Sequence, residues 1–195
     1  MRYGPDHKEN SRNKILHAAG RGFRWQGYAG IGVDGLAKEA GVTSGAFYGH
    51  FSSKADAFQA AATAGLVELR QAVEALQAAE GDRWLGKFAD FYMGFKRTCD
   101  LKDSCALQSL TPEVARAGDG TKKAYEAEML QLVEAIAQGL PKGNPPVRRR
   151  AAWAIMALLS GGVTLARAIY DPKVGNQIAN SVIASVLTAA GIDEG

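Results

Sequence analysis

Histidine and cysteine are scarce in this chain of 195 residues, and both are unevenly placed. The three histidines, His7, His17 and His50, all precede residue 51. The rest of the chain therefore has no imidazole for a general base, a metal site or a catalytic triad. The two cysteines, Cys99 and Cys105, are too few for a disulfide scaffold and lack the spacing of a metal site. No cofactor is expected, and an enzyme is not. The opening MRYGPDHKENSRNK has no apolar run and does not read as a signal peptide. The longest apolar stretch, near 151–166, falls short of a membrane span. Strand signals are also missing, with no alternating Val/Ile/Thr run between hairpin turns. The expectation is an all-α protein of the reducing cytoplasm with no membrane partner.

What is present is ordinary in amount and uneven in position. Apolar residues make up 47% and charged residues 22%, enough to build a core. The net charge of +3 hides an asymmetry. Residues 1–58 hold 8 basic and 5 acidic side chains, and residues 59–195 hold 15 of each. The whole excess lies in the first third, where it can steer a polyanion. Helical periodicity predicts about nine helices. The first, roughly 9–26, places Ile15, Ala18, Ala19 and Phe23 on one face, before Gly27 and Gly30. A second, 33–40, places Val33, Leu36, Ala37 and Ala40 together and stops at Gly41. A third covers 44–50. A long fourth runs from Ser53 to about 79, with Ser53 and Asp56 spaced as a capping box. Further helices are expected near 82–99, 105–117, 121–139, 146–169 and 174–190.

The stretch VDGLAKEAGVTSGAFYGHF (33–51) has the spacing of a helix-turn-helix. Its steep crossing needs a small residue, Ala37, on the first helix. The turn needs a glycine able to adopt positive φ, Gly41. The second helix needs an inward apolar pin, Phe47. Its outward face would then lie in a DNA major groove. Residues 9–58 closely resemble the DNA-binding domain of the TetR family of bacterial transcriptional regulators. The resemblance rests on Gly27-Tyr28, Leu36-Ala37, Ala40-Gly41-Val42, Gly45, Phe47-Tyr48, His50-Phe51 and Ser53-Lys54. It implies a three-helix DNA-binding domain over 1–52, with its motif at about 32–51. A helical ligand-binding and dimerisation bundle would follow over 53–195.

Carried over by position, Gly32, Thr43, Ser44, Gly45, Ala46, Tyr48, His50 and Lys54 are the expected DNA-binding residues. Thr43 to Ala46 open the recognition helix. Tyr48 and His50 resemble the family's phosphate-contacting pair, and Lys54 its phosphate lysine. Arg2, Lys8 and Arg12 could reach backbone or minor groove from the N-terminal arm. Phe51 reads as core. Gly32 stands where the family places Ser or Thr, so the cap brings no hydroxyl. Gly35 inside the second helix costs about 1 kcal/mol against Ala. Ser44 and Gly49 stand where longer side chains are common, which leaves few groups for direct base readout. Modest sequence discrimination follows, with much of the affinity from phosphates.

For the bundle the resemblance implies a small-molecule effector held in its interior. The aromatic series Trp84, Phe88, Phe91, Tyr92 and Phe95 reads either as plain core or as one pocket wall. Tyr125, Met129, Trp153 and Met156 are candidates for the opposite wall, which suits an apolar or aromatic effector. Cys105 opens a helix, where a thiol favours its thiolate, so a thiol-based electrophile or redox sensor is an alternative. A DNA binder without an inducer is another. The expected dimer interface takes Ile155, Leu159 and Val163 from one helix, and Ile178, Val182 and Val186 from the last. Ser160-Gly161-Gly162 would permit close approach. Arg148-Arg149-Arg150 reads as a solvated face or an interface. The functional expectation is a homodimeric repressor, released from double-stranded operator DNA by its effector.

Overall fold

The computed structural model describes residues 5–192, and their side chains from residue 9 onward. Arg2 lies outside the described residues, as does the side chain of Lys8. Every regular element among the described residues is helical. The order is α1 (Pro5–Gly30), α2 (Val33–Ala40), α3 (Ser44–Tyr48), α4 (Lys54–Glu80), α5 (Trp84–Phe91), α6 (Ala106–Val114), α7 (Asp119–Gln138), α8 (Pro145–Arg167) and α9 (Pro172–Ala189). A π-helical turn, Tyr92–Lys96, extends α5, and a 3₁₀ turn, Leu101–Asp103, precedes α6. The fold is the all-α one expected, an N-terminal helix-turn-helix followed by a helical body.

The helix ends follow the local chemistry of the sequence. α1 is broken at Gly27, whose φ of 73° and ψ of 171° suit only glycine. Gly41 ends α2 in the left-handed conformation, and its N–H and that of Val42 close back on Lys38 O and Ala37 O. α8 begins at Asn144, whose side chain accepts from Val147 N–H, with Pro145 at the first helical position. α9 is capped in the same manner by Asp171, again followed by proline. The capping box expected at Ser53 and Asp56 is half formed. Ser53 Oγ accepts from Asp56 N–H at 3.1 Å. The Asp56 carboxylate reaches one residue further back, to Ser52 N–H and Ser52 Oγ.

The chain divides into two compact units, residues 1–65 with 101–125 and residues 66–100 with 126–195. The helices α4 and α7 each give residues to both. The units do not follow the chain boundary expected after residue 52, because α6 and the starts of α4 and α7 cluster with the first helices.

The core of the first unit is the predicted face of α1 (Ile15, Ala18, Ala19, Phe23) against Leu36, Ala37, Ala40, Phe47, Phe51 and Phe58. Its packing is tight enough to demand glycines. A Cβ on Gly35 would lie 2.9 Å from Ile31 Cγ1, and one on Gly22 2.8 Å from Ile31 Cδ1. Ile31 is thus wedged between two glycines, so Gly35 answers to a close approach rather than standing as a simple helix-propensity cost. At the crossing of α4 and α6, a Cβ on Gly65 would lie 2.2 Å from that of Ala106.

The second unit is built on Trp84, Leu85, Phe88, Ala89, Tyr92 and Met93 of α5 and its π turn. Leu132, Val133 and Ile136 of α7 and the α8–α9 hairpin complete it. Trp84 Nε1 donates to Gly139 O at 2.9 Å, and Gln77 Nε2 to Ala135 O at 3.0 Å. Gly162 lets α9 approach, since a Cβ there would lie 2.7 Å from Val182 Cγ2. The guanidinium of Arg167 closes the end of the π turn by donating to Lys96 O and Cys99 O.

Candidate nucleic-acid interface

The helix-turn-helix is assembled as its spacing requires. Ala37 is buried at the crossing, and Phe47 is fully buried (0% exposed), pinning α3 to the core. Thr43 caps α3: its Oγ1 accepts from Ala46 N–H at 3.1 Å. With Phe47 inward, Thr43, Gly45, Ala46 and Tyr48 are left exposed on the outer side of α3, Tyr48 at 55%. Gly32 caps α2 in extended geometry with no side-chain bond and open space around it. Phe51 is buried, as read from the sequence.

Three of the expected contact residues carry intramolecular partners that the sequence did not reveal. Ser44 Oγ donates to Asp34 Oδ1 at 2.5 Å, tying the start of α3 to the first turn of α2. The Lys54 ammonium stands 4.5 Å above the ring of Tyr28. Arg12 stacks over Phe51 at 5.1 Å. Such cation–π contacts at partly exposed sites contribute about 0.5–1 kcal/mol, little enough to be exchanged for a phosphate. His50 is half-buried, and its Nδ1 has no hydrogen-bond partner among the described residues.

Behind this face, the turn that leads into α6 is held by an ionic cluster. Arg21 Nη1 lies 2.5 Å from Asp103 Oδ1, and Arg24 Nε donates to Lys102 O at 2.8 Å. Glu39 of α2 sits 3.9 Å from Arg21 Nε and 3.8 Å from Lys102 Nζ. Lys102 also covers the ring of Trp25. The cluster joins three segments that sequence periodicity treats separately, and no local signal announces it.

The effector candidates fall into two groups. Cys105 and Tyr125 belong to the first unit. Cys105 is the buried N-cap residue of α6 and makes no capping bond. Tyr125 Oη and Thr111 Oγ1 are 2.5 Å apart, and Thr111 donates on to Leu107 O. Burial, aided by the nearby Cys105 and opposed by the Thr111 bond, pushes the Tyr125 hydroxyl up to about 12. Phe88, Tyr92, Met129 and Met156 are buried in the second unit.

Three further effector candidates lie at the surface. Phe91 and Phe95 are 50% and 54% exposed, stacked on each other at 5.6 Å with Lys96 alongside. Trp153 is 42% exposed on α8. The buried face of α5 advances through Trp84, Phe88 and Tyr92, leaving Phe91 and Phe95 on its flank, so the aromatic series is not one wall.

The candidate dimer residues lie mostly inside the protomer. Ile155, Leu159, Val163 and Val186 are all but fully buried within the protomer, while Ile178 and Val182 are only partly so. The α8–α9 hairpin uses that stripe for its own packing. Of the arginine triplet, Arg149 pairs with Glu134 at 2.9 Å and, chiefly through that bond, holds the carboxyl below its usual range. Arg150 is exposed, consistent with a solvated face. Among the described residues, no group of side chains could hold a metal ion and no helix is long and apolar enough to cross a membrane.

These features define a class, an all-helical protein with an N-terminal helix-turn-helix whose second helix is exposed on one side. Residues 15–61 match the family described as bacterial regulatory proteins, tetR family. The HTH-type transcriptional regulator LmrA of Bacillus subtilis is 47% identical over 51 residues, or 26% of this chain and 24% of that protein. The match thus spans about a quarter of the curated relative. Along the whole chain the likeness is one of fold. The reduced form of NemR from E. coli superposes with a TM-score of 0.75 at 18% identity, covering 92% of this chain and 97% of that one. A TetR-family regulator from Cytophaga hutchinsonii gives 0.75 at 20% identity over 100% of both chains. Residues 15–61 are thus a domain of the tetR type, and the rest of the chain shares its helical fold with TetR-family regulators.

Proposed function

We propose that this protein is a homodimeric repressor that binds operator DNA through residues 1–52 and releases it when residues 53–195 bind a small apolar or aromatic effector. The observation that carries the reading is the arrangement of α3. Phe47 holds it to the core, the Thr43 cap fixes its first turn, and Tyr48 projects outward. A helix N-terminus presented in this manner favours phosphate, and its outer side chains can meet base edges. Tyr48, His50 and Lys54 serve as phosphate contacts, Lys54 after leaving Tyr28. The short side chains of Ser44, Gly45 and Ala46 give little direct readout, so phosphates carry most of the affinity.

The dimer is best supported by the outward faces of α8 and α9. Between Arg150 and Arg167, α8 has no charged residue, although Trp153, Ala154, Ala157, Gly161, Thr164 and Leu165 are exposed. A helix apolar on all sides calls for cover. Gly161 has open space beside it, where a partner helix can approach. Dimerisation would set two recognition helices at half-sites about 34–36 Å apart.

An effector seated near Phe88, Tyr92, Met129 and Met156 would act through α4, which is continuous with the head. This coupling is reciprocal, so operator DNA must weaken the effector by the same factor. The test is a gel shift on the DNA upstream of the protein's own gene, run against a panel of small molecules. Retardation in discrete steps, reversed by a panel member, is expected. The reading fails if no duplex, including one enriched from random sequence, is bound more tightly than bulk DNA.

A further inference from the structure

A cleft of about 220 Å³ opens in the first unit, apart from the residues assigned above to effector and DNA. Tyr28 and Phe58 form one side, and Glu113, Arg116, Ala117 and Thr121 the other. The chain builds it through the break at Gly27. The positive φ there favours glycine, and a Cβ would crowd Glu113 Oε1 at 3.1 Å. The break also turns Tyr28 edge-on to Phe58, with ring centroids 5.1 Å apart.

The chemistry of the walls favours an organic cation. The Tyr28 ring already takes the Lys54 ammonium at 4.5 Å. The Glu113 side chain is only 23% exposed, while its partner Arg116, 3.1 Å away, is 69% exposed. A pair with so exposed a partner contributes at most about 1 kcal/mol, so a cation better shielded from water can displace Arg116. An apolar cavity of about 150 Å³ accommodates benzene. The larger volume here suits one aromatic ring with a short ammonium arm.

We propose that this cleft binds small aromatic ammonium compounds, with the ring against Tyr28 and Phe58 and the ammonium on Glu113. The site does not depend on DNA binding or on the effector reading, so it is tested on the protein alone. The full chain is titrated calorimetrically with 2-phenylethylammonium, its neutral analogue 2-phenylethanol and the anion 3-phenylpropionate. Saturable one-to-one binding of the ammonium is expected, at least tenfold tighter than the alcohol, with no binding of the anion. Glu113→Gln should weaken the ammonium at least tenfold. Ala117→Phe, which fills the cleft without changing charge, should abolish binding, with circular dichroism confirming that each variant is folded. Absence of saturable ammonium binding would overturn the proposal. So would equal affinity for all three probes, ammonium affinity unchanged in Glu113→Gln, or preference for the anion that is lost in Arg116→Gln.

Discussion

The two compact units use their apolar residues to opposite ends. In the first, buried apolar side chains hold the short helices α2 and α3 against α1. Phe47, Ile31 and Phe51 are buried so that Thr43, Ala46 and Tyr48 can be presented. In the second, long helices are apolar on more than one face. α8 buries Ile155, Leu159 and Val163 and still exposes Trp153 and Leu165. The first unit is also cross-linked internally by charge, through Arg21, Glu39, Lys102 and Asp103. The outward faces of α8 and α9 carry no charge between Arg150 and Arg167 or between Lys173 and Asp193. One unit keeps its apolar residues mostly inside, while the other leaves an uncharged apolar face on the surface, the face proposed for the dimer.

The sharpest way to break this contrast is to loosen the first unit. Phe47→Ala should cost about 3–5 kcal/mol by removing the pin of α3, read as a fall in the urea midpoint. A loss below about 1 kcal/mol would mean that α3 is not held by its core contact. Gly65→Ala forces a methyl into Ala106 and should cost about 1–3 kcal/mol in the same measurement.

The buried Tyr125 gives a pH signature. Its folded value of about 12 exceeds the ordinary 10, so the stability it contributes is complete below pH 10 and lost as pH rises towards 12. By pH 11 the wild type should lose about 1.4 kcal/mol more than Tyr125→Phe, measured from pH 8. Parallel losses in the two proteins would show that the hydroxyl ionises freely.

Gly35→Ala should destabilise by about 1 kcal/mol despite the better helix former, because Ile31 stands in the way. Adding Ile31→Val should recover most of that. The smallest effect is at Gly32, where Ser fits the extended cap and open space and should add a few tenths of a kcal/mol.

The head was legible because its signals are local. Ala37, Gly41, Thr43 and Phe47 are set by distances of a few residues along the chain, and each takes the place in the helix-turn-helix that its spacing implies. What escaped the sequence lies between residues distant along it. Neither the Arg21–Asp103 pair nor the Lys54–Tyr28 contact follows from spacing, and Gly35 looked like a cost until Ile31 was placed beside it. In the body, periodicity shows that α8 has an apolar stripe but not which stripe faces the protomer. With both faces apolar, the larger side chains drew the dimer assignment to Ile155, Leu159 and Val163, which the hairpin with α9 had already taken. In α5 the series from Trp84 to Phe95 spans more of the helix circumference than one buried face, so Phe91 and Phe95 fall outside it.

The proposed mode of DNA binding relies on phosphates rather than on the short side chains of α3. It is tested most directly by selecting an operator from random duplexes and then measuring binding to every single-base variant at fixed salt. A bidentate side-chain contact discriminates by about 1–3 kcal/mol, and α3, spanning Ser44 to Tyr48, carries no Arg, Lys, Asn or Gln to make one. In the selected operator the bases opposite α3 should each contribute less than about 1 kcal/mol, with affinity falling steeply as salt rises. Discrimination above about 2 kcal/mol at several of those bases, or affinity indifferent to salt, would contradict it.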